Sequence, residues 1–193
     1  MKKLLITGFD PFGGETINPA WEAVKLLPDQ IGEYMLCKLE IPTVFGIGAE
    51  TVLAAAEKWN PDLILCIGQA GGRSAVTPER VAINLRDARI PDNQGNQPDE
   101  QPILSGGSEA YFATVPVKAM AQAIRDAGYP GAVSNTAGTF VCNDVLYTLL
   151  HYFRGTQVKV GFIHVPYLPQ QGEPSLPLEK TAEALIAAIK AAR

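Results

Sequence analysis

Histidine is scarce in this chain: there are two, His151 and His164. Cysteine is hardly commoner, with Cys37, Cys66 and Cys142 as the full set. The three follow no CxxC spacing, so neither a zinc site nor a disulfide framework is indicated. Positive charge is not in excess either, with 16 Lys and Arg against 20 Asp and Glu and a net charge of −4. That balance excludes electrostatic attraction to nucleic acid or to an anionic membrane. No apolar run approaches the length needed to span a bilayer. No GxxxxGK loop and no GxGxxG opening a helix occurs, so a specific nucleotide signature is missing.

What remains is an ordinary globular composition, 47% hydrophobic and 19% charged over 193 residues. That length suits one domain with a substantial core, read here as 1–193. The first residues, Met1-Lys2-Lys3-Leu4-Leu5-Ile6-Thr7-Gly8, mimic the start of a signal peptide. Their apolar stretch is short and Asp10-Pro11 follows at once, so they read as a first strand and the cytoplasm is the expected compartment.

Strand and helix patterns alternate along the chain. Strands are predicted over Lys3–Thr7, Tyr34–Glu40, Leu63–Ile67, Arg80–Leu85, Ala132–Ser134 and Val158–Val165. Helices are predicted over Pro19–Leu27, capped by Asn18, and over Ile47–Trp59, Val117–Ala127, Cys142–Phe153 and Glu179–Ala192. The alternation predicts an α/β fold, a three-layer α/β/α sandwich around a mostly parallel twisted sheet. The polar segment from Ile90 to Pro102 reads as one long surface loop.

Cys142 is the most informative residue. The small polar stretch Ser134-Asn135-Thr136-Ala137-Gly138-Thr139 runs through Phe140-Val141 into an apolar-periodic segment, placing the thiol in the first turn of a helix. Unpaired N–H groups and the positive dipole end there favour a thiolate. A nucleophile also needs a base. His151 lies two and a half turns further along the same predicted helix, roughly 13 Å away and half a turn round, and cannot reach the sulfur. His164 is the remaining candidate, at the carboxyl end of a predicted strand where open α/β sheets form their sites. The competing reading is plain packing, because Cys142, Leu146, Leu149, Leu150 and Phe153 share one helical stripe and free cysteine is often core.

Two loops after strands are glycine-rich, Gly8-Phe9-Asp10-Pro11-Phe12-Gly13-Gly14 and Gly68-Gln69-Ala70-Gly71-Gly72-Arg73. They open at the edge that carries His164 if the sheet is parallel, and glycine there permits close approach of a ligand, phosphate included. Phe9 and Phe12 suggest flat apolar walls, against ordinary packing under a loop. A third group to orient the imidazole is needed; Glu79, Asp87 and Asp92 are all candidates, and residue type alone does not choose among them.

Three segments resemble the signatures of pyroglutamyl-peptidase I, or pyrrolidone-carboxylate peptidase, a cysteine peptidase family. They are Gly68–Arg73 running on through Thr77-Pro78-Glu79-Arg80-Val81-Ala82-Ile83-Asn84, then Ser134–Asn143, then Phe162-Ile163-His164-Val165-Pro166-Tyr167-Leu168-Pro169. The opening Thr7–Gly14 with Asn18-Pro19, and Ala88-Arg89-Ile90-Pro91-Asp92-Asn93, are similar to the family as well, so the likeness spans nearly the whole chain in order. It implies an α/β/α enzyme without cofactor that hydrolyses the amide bond after an N-terminal pyroglutamyl residue of peptides. It also implies a cytosolic setting and a homotetramer. By position it makes Cys142 the nucleophile, His164 the base and Glu79 the third member, with Arg89 and Asp92 in support. A small neutral lactam would then meet Phe9, Phe12, Ile90 and Phe140 as walls and backbone groups near Gln69 and Val141 at its polar edge. Two other readings of the chain are a cysteine hydrolase of another small amide and a phosphate-using phosphorylase. The latter leaves Cys142 without a task. A third, a non-catalytic binding homologue, is opposed by the intact Glu79, Cys142 and His164 set.

Overall fold

The computed structural model describes residues 1–193. Eight strands and five helices follow in the order β1 (Lys2–Phe9), α1 (Pro19–Leu26), β2 (Gln30–Ile31), β3 (Tyr34–Ile41), α2 (Ile47–Trp59), β4 (Leu63–Gln69), β5 (Thr77–Pro78), β6 (Val81–Ile83), β7 (Ala110–Phe112), α3 (Val117–Asp126), α4 (Val141–Tyr152), β8 (Lys159–Val165) and α5 (Leu178–Ala191). The main sheet has six strands in the order β2-β3-β1-β4-β8-β5. Its four inner strands β3, β1, β4 and β8 run parallel, and the short edge strands β2 and β5 run antiparallel to their neighbours.

The inner strands are apolar on both faces, as a covered parallel sheet requires. One face buries Leu4, Ile6, Leu63, Leu65, Ile67, Ile163 and Val165 in a 25-residue cluster with α1, α3 and α5. The other buries Leu5, Phe9, Ile64, Cys66, Val160 and Phe162 in an 18-residue cluster with α2 and α4. The α/β/α sandwich around a mostly parallel sheet is therefore the architecture found. The loops after β1 and β4 open at the same edge as His164, near the end of β8.

Differences from the sequence reading lie where pairing is short or non-local. Arg80–Leu85 shrinks to β6, which leaves the main sheet and pairs antiparallel with β7. Ala132–Ser134 is not a strand: its partners are single bridges, Val76 with Gly131 and Glu79 with Ser134. β2, β5 and β7 are too short to show a two-residue period. Pro78 in β5 is tolerated because that strand is the sheet's edge.

Candidate active site

Local chemistry starts α4 abruptly. Gly138 takes φ +77°, a left-handed turn, and Phe140 is extended as the cap residue. No side chain caps the first turn, so its leading N–H groups stay available. The next residues fasten the turn to its surroundings. Asn143, fully buried, donates from Nδ2 to the carbonyls of Ile83 (2.9 Å) and Leu85 (3.0 Å) and accepts from the Ile83 N–H (3.0 Å). Asp144 accepts from Arg86 Nε (2.6 Å) and the Gly46 N–H (2.8 Å). Cys142 sits between this bolted turn and the sheet. Nothing in the sequence pattern marked Asn143 and Asp144 beyond their polarity on an otherwise apolar helix.

The thiol lies over Gly68. A Cβ at Gly68 would stand 2.9 Å from Cys142 Sγ and 2.7 Å from Phe162 Cζ. Gly68 is the parallel register partner of His164, and paired residues of adjacent strands point to one face. The Phe162 and His164 ring centroids are 4.8 Å apart. Thiol, imidazole and the Phe162 ring thus share one corner at the carboxyl end of the sheet. The glycine loop there is not an open ligand cradle: Gly68 makes room for the thiol and Gly71 for the Tyr167 ring.

Glu79 faces His164 from the strand edge. β5 pairs antiparallel with β8, Thr77 opposite His164 and Pro78 opposite Ile163. The Glu79 N–H then donates to the Phe162 carbonyl (2.9 Å), and the carboxylate turns back to the imidazole, His164 Nδ1 to Glu79 Oε1 being 2.7 Å. Glu79 is wholly buried and His164 is 4% exposed. Burial would raise the Glu79 carboxyl, but the hydrogen bond from His164 and the Arg73 guanidinium outweigh it and hold it below its ordinary value. An ionised Oε1 accepts, so Nδ1 carries the proton and Nε2 presents its lone pair. Burial is also the main influence on His164. It lowers the imidazole below 6.5 despite the pull of Glu79, so the ring is neutral at neutral pH.

Cys142 is half-buried at this helix start. Burial, followed by the Glu79 negative charge, pushes its thiol up from the ordinary value. Cys66, deeper on the same face, is pushed up to about 12 by burial. His151 is remote from this corner and bonds instead to the Tyr111 hydroxyl (2.9 Å).

An aromatic group lies beside the nucleophile turn. Phe140 stacks at 5.9 Å on Phe12 and meets Phe45 edge-on at 5.3 Å. Ile90 approaches the Phe12 loop, its Cδ1 being 3.7 Å from where a Cβ at Gly13 would lie. Phe9 is placed differently from an open wall: it is 1% exposed and packs on Phe162 at 6.1 Å, beneath the site. Val141 is buried as the first residue of α4. Gln69 ends β4 and accepts from Gln171 Nε2 (3.2 Å).

Asp92 fastens the loops beside the aromatic group. It is 6% exposed and accepts from the Phe45 N–H (3.0 Å), the Gln94 N–H (2.9 Å) and both nitrogens of Asn96. Asp10, Thr43 and Asn93 extend the network, with Asp10 Oδ1 accepting from the Thr43 N–H (2.7 Å) and Asn93 Nδ2 (3.1 Å). Three loops are tied together this way around the aromatic group. The roles of Phe45, Thr43 and Asn93 have no sequence-local signature. Arg89 is exposed and engages no other side chain. A cleft of about 360 Å³ lined by Phe45, Arg86, Asn96, Gln97, Pro98 and Gln101 borders the group and contains neither Cys142 nor His164. No cluster of three or more His, Cys, Asp or Glu side chains converges as a metal site.

Known proteins match this chain from end to end. The family model for pyroglutamyl peptidase, Peptidase_C15, matches residues 2–193. A pyrrolidone-carboxylate peptidase of Levilactobacillus brevis is 58% identical, covering 98% of this chain and 96% of its own. One from Enterococcus faecalis is 51% identical, over 98% and 92%. Among solved structures, pyroglutamyl peptidase I of Bacillus amyloliquefaciens superposes with a TM-score of 0.96 at 49% identity, over 100% of this chain and 97% of that one. Pyrrolidone carboxyl peptidase from Thermococcus litoralis superposes with a TM-score of 0.95 at 38% identity, over 100% and 93%.

Proposed function

The chain belongs to the pyroglutamyl peptidase family of cysteine peptidases, and we propose that it removes N-terminal pyroglutamate from peptides through Cys142, His164 and Glu79. The observation that carries the assignment of roles is the Glu79–His164 contact of 2.7 Å beside a thiol seated over the strand partner of His164. His164, neutral and with Nε2 free, takes the Cys142 proton as the sulfur attacks the carbonyl that joins pyroglutamate to the next residue. First-turn N–H groups of α4, left uncapped, stabilise the oxyanion. His164 then protonates the departing amine, and water hydrolyses the thioester to release pyroglutamate and regenerate the thiol. Glu79 fixes the imidazole tautomer and stabilises its positive charge while it holds the proton.

The lactam ring lies against Phe12, Phe140 and Ile90, with backbone groups near Gln69 and Val141 meeting its N–H and carbonyl. Phe9 supports this wall from beneath. A site of this kind rejects a charged glutamyl terminus, whose desolvation unpaired is costly. Asp92 holds the loops that carry Phe45, and Arg89, exposed at the rim, reaches toward the peptide. The family's cytoplasmic setting and homotetramer belong to the same reading. No helix is long and apolar enough to cross a membrane, and Phe112 is 71% exposed.

The test is release of a chromogenic amine from its pyroglutamyl amide under reducing conditions. Activity in the wild type and its loss in both Cys142→Ser and His164→Ala, with circular dichroism unchanged, is the expected result. An inactive, folded, reduced wild type would overturn the function, and an active His164→Ala the assignment of the base.

A further inference from the structure

The geometry points to Arg73 as a positioning residue for this reaction, a guanidinium clamp that holds Glu79 against His164 and ties both to the loop leading into Cys142. The inference rests on the proposed roles of those three residues. Arg73 Nη1 donates to Glu79 Oε1 (2.6 Å) and lies 2.7 Å from the Thr77 hydroxyl, while Nη2 donates to the Thr136 carbonyl (2.8 Å). These acceptors belong to β5, to the residue that follows it, and to the loop between Ala132 and α4. One side chain from the loop after β4 therefore joins the Glu79 segment to the loop that leads into α4.

Glu79 is hard to hold ionised without it. Arg73 and His164 both donate to Oε1, and Oε2 is buried with no hydrogen-bond partner. The Ser134 hydroxyl engages the Thr136 carbonyl (3.0 Å). A buried carboxylate with one orphaned oxygen is costly unless a lasting positive charge faces it. His164 cannot be that charge, since it must rest neutral to act as a base. Arg73 is permanently protonated, and its planar fork reaches acceptors that an ammonium group cannot bridge together.

Removing the guanidinium also changes what the pair does with protons. The charged groups that bear on His164 are Glu79 beyond β5 and Arg73 in the loop before it, while the Cys142 thiol on α4 and the Cys66 thiol on β4 lie on the same face of the sheet, and Arg73 is the only cation among them. Loss of a nearby positive charge raises the proton affinity of the Glu79–His164 pair as a whole, whichever member takes the proton. The acid limb of kcat/KM should then move up. Arg73 is about a quarter exposed, so solvent screens part of the effect.

The experiment measures kcat, KM and the pH profile for a pyroglutamyl amide in wild type, Arg73→Gln, Arg73→Lys, Glu79→Gln, Arg73→Gln/Glu79→Gln and His164→Ala. In Arg73→Gln we expect kcat to fall about 10- to 100-fold with KM little changed, and the acid limb to rise by roughly one pH unit. Arg73→Lys should return the limb to its wild-type place while kcat stays several-fold low. In the Glu79→Gln background, further loss of Arg73 should cost nothing, because the clamp acts through Glu79. That comparison decides the matter even if Arg73→Gln alone fails to fold, since the double variant leaves no unpaired buried charge. A further loss of kcat in the double variant, or an acid limb unmoved in a folded Arg73→Gln, would overturn the clamp and leave Arg73 a purely structural residue. If instead Glu79→Gln and His164→Ala match wild type, the roles assigned to the pair fail, whatever Arg73 does.

Discussion

Cys142 Sγ occupies the space that a side chain at position 68 would need, 2.9 Å from where the Cβ of Gly68 would lie. Position 68 is also the strand partner of His164. The smallest residue in the chain therefore decides how near the thiol comes to the sheet corner that holds the imidazole.

Substituting Gly68→Ala tests this. The methyl would clash with the thiol and with Phe162 Cζ at 2.7 Å, and neither can retreat from a packed core. Stability should fall by about 1–3 kcal/mol and kcat by two orders of magnitude or so. Thermal melting and steady-state kinetics read the two effects separately, and wild-type kcat would show that the thiol tolerates displacement.

Acid should both inactivate and destabilise the enzyme. His164 is held below 6.5 in the folded state, so between 6.5 and its folded value the unfolded chain binds a proton that the native one does not. Glu79 is held below 4.5 and acts the same way at lower pH. Both contributions vanish as pH falls, never as it rises. The midpoint of the acid limb of kcat/KM should lie below pH 6.5. Denaturant unfolding at pH 8, 6 and 5 should show declining stability, flattened between 8 and 5 in His164→Gln.

Phe9 and Phe140 should separate cleanly. Phe9 is core, so Phe9→Ala should cost about 3–5 kcal/mol of stability by opening a cavity under Phe162. Phe140 keeps partial exposure between Phe12 and Phe45, so Phe140→Ala should raise KM about tenfold with a smaller loss of stability. Equal effects of both substitutions on KM would place Phe9 at the substrate as well.

Asp92→Ala should act at a distance. It frees the Phe45 N–H and the Asn96 contacts, loosening the edge-on partner of Phe140. A destabilisation of about 1–3 kcal/mol and a raised KM with kcat nearly unchanged are expected. A fall confined to kcat would instead mean that Asp92 acts on the reacting atoms.

Much of the site was legible in the order of residues. The polar-to-apolar switch at Ser134–Asn143 started a helix and set Cys142 in its first turn; the two-residue period of Val158–Val165 put His164 at the end of a strand. Helix pitch alone removed His151. These are regularities within one element, repeated every few residues, so a short window of sequence carries them. Residue type and local pattern did not choose Glu79 over Asp87 and Asp92; the family resemblance named it, and the tertiary structure alone brought it to His164. The two residues are 85 apart in the chain, and their meeting depends on the antiparallel register of the short β5 against β8. A slip of one residue there would turn the carboxylate to the other face. Arg73, Gly68 and Phe45 acquired their places in the same manner, from long-range packing with no local period to announce it.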